Sequence, residues 1–132
     1  MALNPGTLGG ELTTLNLGVA NMTANANGTL VDLAGFIGTV HVVLNAAAGT
    51  NDNQSLTVKL QHSIDSNTSN AADFDPAVSF TAIAANGAAQ VQTLALDTRV
   101  ARRFVRIVSN QSAAGNGRVY SVTLSGKRQV TG

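Results

Sequence analysis

The sequence predicts an all-β protein, an antiparallel β-sandwich of jelly-roll type with an extended N-terminal arm. Three observations lead there. Short runs rich in Val, Leu, Ile, Phe and Thr recur from residue 29 onward, seven or eight of them. Stretches rich in Gly, Asn and Asp separate these runs at fairly regular spacing, as in sandwiches and barrels. No stretch is a convincing helix; the helical turn conceivable at Ala84–Ala89 is broken by Asn86-Gly87. No internal repeat is visible, which argues against a propeller or β-helix.

Taken in order, residues 1–28 read as the arm. Pro5, Gly6, Gly9, Gly10, Gly18 and Gly28 punctuate it, and it carries no positive side chain. Leu8, Leu12, Leu15 and Leu17 give it something to bury, against its own domain or a neighbour. Residues 29–132 read as one sandwich domain. Thr29–Leu33 is a candidate strand and Gly35–Gly38 a break. Val40–Asn45 is a stronger strand, with Val40, Val42 and Leu44 on one face. Ser55–Ile64 alternates most clearly: Leu56, Val58, Leu60 and Ile64 point one way, with His62 on their side. Asp65–Pro76 is a polar loop. Val78–Ile83 is a strand, Asn86-Gly87 a turn, and Gln90–Leu96 the next strand. Arg102–Ser109 and Arg118–Gly126 complete the set, the last with Tyr120, Val122 and Leu124 inward.

A chain of 132 residues fits one domain with a modest core. Charged residues are only 11%, and Asn, Ser, Thr and Gln supply the polarity. Such a surface is wet but weakly repelling, so it tolerates close contact with other protein surfaces. Charge is unevenly placed. Residues 1–98 carry −6 and residues 99–132 carry +7. Either an acidic and a basic face meet complements in an assembly, or strands from the two halves interleave and the charges mix. With a net charge of +1, no Trp and one Tyr, nucleic-acid binding is not expected. There is no Cys, hence no disulfide framework. No leader pattern opens the chain, and no apolar run approaches the roughly 20 residues that span a bilayer.

The residues of catalysis are sparse. His41 and His62 both fall inside strands, where packing roles predominate. No Gly-x-Ser-x-Gly elbow is present. The carboxylates lie mostly in loops, without the paired arrangement that glycoside hydrolysis needs. Asp65, Asn67 and Ser69 alternate as a calcium loop begins, but Asn70 and Pro76 stand where the turn Gly and the bidentate Glu belong. No metal, cofactor or catalytic residue is therefore expected. What remains is Asp97–Val108, with four of the eight basic residues. Within it, Phe104–Val108 reads as a core strand whose Arg106 is held by an internal acid such as Asp97 or Asp32. Arg99, Arg102 and Arg103 are then left free to face a partner.

The stretch Leu56–Asp65, the polar loop with Phe74, then Phe80, Leu94–Arg99 and Arg103–Ile107 resemble small structural proteins of tailed bacteriophages. These include capsid decoration, or cement, proteins with a jelly-roll fold. The resemblance covers roughly residues 38–126 and is one of strand and loop texture, without a catalytic signature. It implies a non-enzymatic virion protein on the capsid surface, made in the bacterial host cytoplasm. Its partners would be the major capsid protein and further copies of itself, as a dimer or trimer, with neither nucleic acid nor membrane. Many copies on a lattice would let each contact be weak. The contact residues expected are Leu8, Leu12, Leu15 and Leu17 of the arm, Arg99, Arg102 and Arg103 of the loop, and Lys127 and Arg128 of the tail. A carbohydrate-binding jelly-roll or a tail or head-fibre accessory are the alternatives. The first wants exposed aromatic platforms, and Tyr120 faces inward.

Overall fold

A computed structural model describes residues 11–22, 26–49, 55–111 and 118–129. Nine strands are seen there: β1 (Glu11–Met22), β2 (Ala26–Asn27), β3 (Val31–Asp32), β4 (Phe36–Ala46), β5 (Leu56–Ser63), β6 (Ala72–Asp73), β7 (Gln90–Asp97), β8 (Phe104–Gln111) and β9 (Arg118–Arg128). One sheet has the order β1-β9-β4-β7 and the other β2-β8-β5-β6, with β3 also on β8. The antiparallel pairings nest: β1 with β9, β2 and β3 with β8, β4 with β7, β5 with β6. The chain is thus one long hairpin wound over itself, with β4–β9 and β5–β8 pairings closing it. That is the winding of a jelly-roll sandwich.

Alternation builds the core. Val40, Val42 and Leu44 of β4, with Val122 and Leu124 beside them on β9, face Leu56, Val58 and Leu60 of β5 and Val105 and Ile107 of β8 in the other sheet, all at most 2% exposed. Each such side chain contributes roughly 1.5–3 kcal/mol by leaving water. Ser109 and Tyr120 bring hydroxyls into this core. Their hydroxyls share one hydrogen bond, at 2.6 Å, across the two sheets in the buried interior.

A bulge shapes β4. Its register on β9 shifts between Ile37 and His41, so extra residues stand opposite Gly126. Gly38 takes φ 71° there, a conformation that suits a residue without Cβ. Val40 then lies over Gly126, where an added Cβ would come 2.4 Å from its Cγ1.

Several expectations change. The stretch read as an arm supplies β1, which runs along β9 as an edge strand of the sandwich; residues 1–10, with Leu8, lie outside the described residues. Thr29–Leu33 shortens to Val31–Asp32. Val78–Ile83 is an edge segment with bridges Ser79–Lys59 and Ile83–Leu56, a register slip of one residue that prevents a regular strand. At the slip, the Thr81 backbone N–H and C=O bond the Gln92 side-chain amide instead of β5. Ile64 is 63% exposed rather than inward, because β5 ends at Ser63 and the chain turns away. The Asn86-Gly87 turn is present, with Asn86 at φ 54° and Gly87 N–H on Ala84 O.

Candidate partner-contact surface

The topology gathers the predicted basic residues at one end of the sandwich. β7 ends there, β8 begins there and β9 finishes there, so the 98–103 loop and Lys127–Arg128 are neighbours. The β3–β4 turn joins them. Leu33 N–H bonds Arg103 O on one side, and Gln129 N–H bonds Gly35 O on the other. Thr98 closes the loop onto the β4 bulge, giving both its N–H and its hydroxyl to Gly38 O.

Not all these cations are unengaged. Arg99 reaches back to Asp97, with Nη2 2.8 Å from Oδ2. Arg103 binds Asp32 through Nε and Nη2, at 3.0 and 2.9 Å, and its guanidinium lies 5.2 Å from the Phe104 ring centre. These arginines hold the Asp97 and Asp32 carboxyls below their usual range. The expectation of three free loop arginines is corrected: two are paired, though both remain exposed. Arg102, Lys127 and Arg128 are exposed and form no salt bridge among the described residues, although the Arg128 charge also acts on Asp32. Arg128 instead extends past Gly35, with its guanidinium 6.0 Å from the Phe36 ring centre.

Arg106 is also corrected. It is buried, as a core-strand position implies, but no acid holds it. Its Nε and Nη2 both donate to Gln61 Oε1. Asp97 and Asp32 are committed to the loop arginines. Sequence reasoning missed Gln61 because it sought a carboxylate for every buried cation.

The arm leucines divide. Leu17 is 2% exposed and belongs to the chain's own core, and Leu15 is half-buried against that core. Leu12 pairs in register with Lys127 on β9, which brings β1 to the basic end. Beside Lys127, the bulge leaves a shallow depression of about 510 Å³ lined by Ile37, His41 and Ser125 among others.

The two histidines differ. His41 is exposed on the outer face of β4. His62 is half-buried, its ring 4.0 Å from that of Phe74, and its Nδ1 accepts the Arg102 backbone N–H at 3.2 Å. Burial, then the Arg102 charge, lower its pKa. His62 thus tethers the loop that carries the basic residues. The Asp65 carboxylate accepts from Asn67 N–H and Asn70 Nδ2, and Asn67 caps the one-turn 3₁₀ helix Thr68–Asn70, so that loop's oxygens serve its own folding. No group of three metal-ligating side chains is found among the described residues. No helix there is long and apolar enough to cross a membrane.

The sequence matches no protein-family model and no curated protein. Two solved structures resemble the fold. One, of the infectious bursal disease virus Gx strain, is 12% identical with a TM-score of 0.46, over 95% of this chain and 35% of that one. The other, of the Gt strain of that virus, is 13% identical with a TM-score of 0.38, over 89% and 30%. This chain spans about a third of the length of either.

Proposed function

We propose that this chain is a non-enzymatic virion structural protein, a decoration protein that binds the outer surface of a phage head and bridges major capsid subunits. The observation that carries the reading is the basic end of the sandwich. Five cationic side chains converge there from separate parts of the chain, and Arg102, Lys127 and Arg128 form no salt bridge among the described residues. Exposed charges of one sign steer and orient a complementary, acidic protein surface. The resemblance in residues 38–126 supports the same reading, as does the rigid jelly-roll that holds these side chains at strand ends.

The test is attachment to purified heads that lack the protein. Arg102→Glu with Lys127→Glu changes two exposed side chains outside the core. Occupancy of this variant should fall at least tenfold, and wild-type binding should weaken with added salt. Unchanged occupancy together with salt-independent binding would place the contact elsewhere.

A further inference from the structure

β7 is an edge strand with no neighbour on its outer side among the described residues. Within an antiparallel pair, each residue's N–H and C=O point to the same side, and successive residues alternate sides. Ala47 N–H bonds Val119 O, so odd-numbered residues of β4 face β9. Thr98 N–H bonds Gly38 O, so even-numbered residues of β4 and β7 face each other. Both bonds give one parity. Val91, Thr93 and Ala95 therefore turn their backbone N–H and C=O away from β4, and no partner for these groups exists among the described residues.

Among the described residues, nothing guards this edge. The pairing of β7 on β4 runs over eight residue pairs without a register shift. Gln90–Leu96 holds no Lys, no Pro and no charge, the usual devices that keep edges apart. The side chains of Val91, Thr93 and Ala95 are exposed on the outer face, Val91 at 63%.

We infer that this edge pairs with the same edge of a second copy, antiparallel, about a two-fold axis at Thr93. Self-complementarity argues for a second copy over another strand. A two-fold there sets Val91 against Ala95 of the second copy, Thr93 against its own equivalent, and Ala95 against Val91. All three are hydrogen-bonding positions, so the six outward N–H and C=O groups on each copy's edge find partners together. The facing side chains are small or β-branched, with a Thr–Thr pair at the centre. On the other face, half-buried Leu94 meets Gln92. Asp97 falls opposite Ala89, so no like charges meet. The product is one continuous eight-stranded sheet, with the two basic ends at opposite ends of it.

The experiment is mass measurement by light scattering across the micromolar range, with cysteine cross-linking. Wild type should show twice the 13.4 kDa chain mass. Thr93→Lys, which sets two ammonium groups face to face, should show the single-chain mass with an unchanged far-UV spectrum. Thr93→Pro, which removes only an outward N–H, should do the same. The chain has no Cys, so Thr93→Cys supplies a sole thiol that a short bis-maleimide should join into a covalent dimer. Val119→Cys, on the same face two strands inward, should not be joined. A single-chain mass for wild type across that range would overturn the inference. So would a dimer that Thr93→Lys leaves intact, or cross-linking at residue 119 in place of 93.

Discussion

Arg106 gives both its Nε and its Nη2 hydrogens to a single neutral oxygen, Oε1 of Gln61, at 3.0 and 2.8 Å. Gln61 passes its own amide hydrogen to Asp73 Oδ1, and Lys59 binds Asp73 Oδ2, each at 2.9 Å. The negative charge is thus one residue removed from the buried guanidinium.

Gln61→Leu should therefore destabilise the fold. It strips the acceptor from an arginine that is 9% exposed, and hydrogen bonds to charged groups contribute about 1.5–3 kcal/mol. Adding Arg106→Met should restore part of the loss, since no buried charge is then left unpaired. Urea melts of the two single variants and the double variant give the coupling energy directly.

The Ser109–Tyr120 bond makes a parallel case in the core. Tyr120→Phe leaves the fully buried Ser109 hydroxyl unsatisfied, at a cost of about 1–3 kcal/mol. Ser109→Ala with Tyr120→Phe should cost less than the two single changes summed. Additive costs in denaturant melts would show that the hydroxyls do not act as a pair.

Gly126→Ala tests the bulge. The new Cβ would lie 2.4 Å from Val40 Cγ1 and 3.2 Å from Phe36 Cδ1. Overpacking of this kind costs about 1–3 kcal/mol. Val40→Ala in the same chain removes the contacting methyls, so the double variant should lose less than the two single losses combined. Thermal melting measures both.

The pH dependence follows from His62. Its pKa lies below the ordinary 6.5, so between the two values the unfolded chain binds a proton that the folded chain does not. Its stabilising contribution is complete above about pH 6.5 and declines as pH falls through the lower folded value. His62→Asn keeps a side-chain acceptor near Arg102 N–H but cannot titrate. Stability measured from pH 7.5 down to 5 should fall less steeply in that variant than in wild type.

Strands with an unbroken two-residue period were legible in the sequence. Leu56–Leu60 and Tyr120–Leu124 face the core as their alternation requires. Bulges hid the others. β1 slips register between Asn16 and Gly18, which breaks its alternation and makes the stretch read as an irregular arm. The one-residue slip between Phe80 and Ile83 likewise cost that segment its strand. At the basic end, the residue types were visible but their pairing was not. Asp97–Arg99 is local, whereas Asp32 and Arg103 meet only because β3 pairs with β8.

The most direct measurement is the thermal stability of phage heads with and without the protein. Heads lacking it should release their DNA at a lower temperature, and adding back purified wild-type chain should restore the midpoint while the Arg102→Glu/Lys127→Glu variant should not. Heads that melt at the same temperature with or without the chain would contradict the stabilising role.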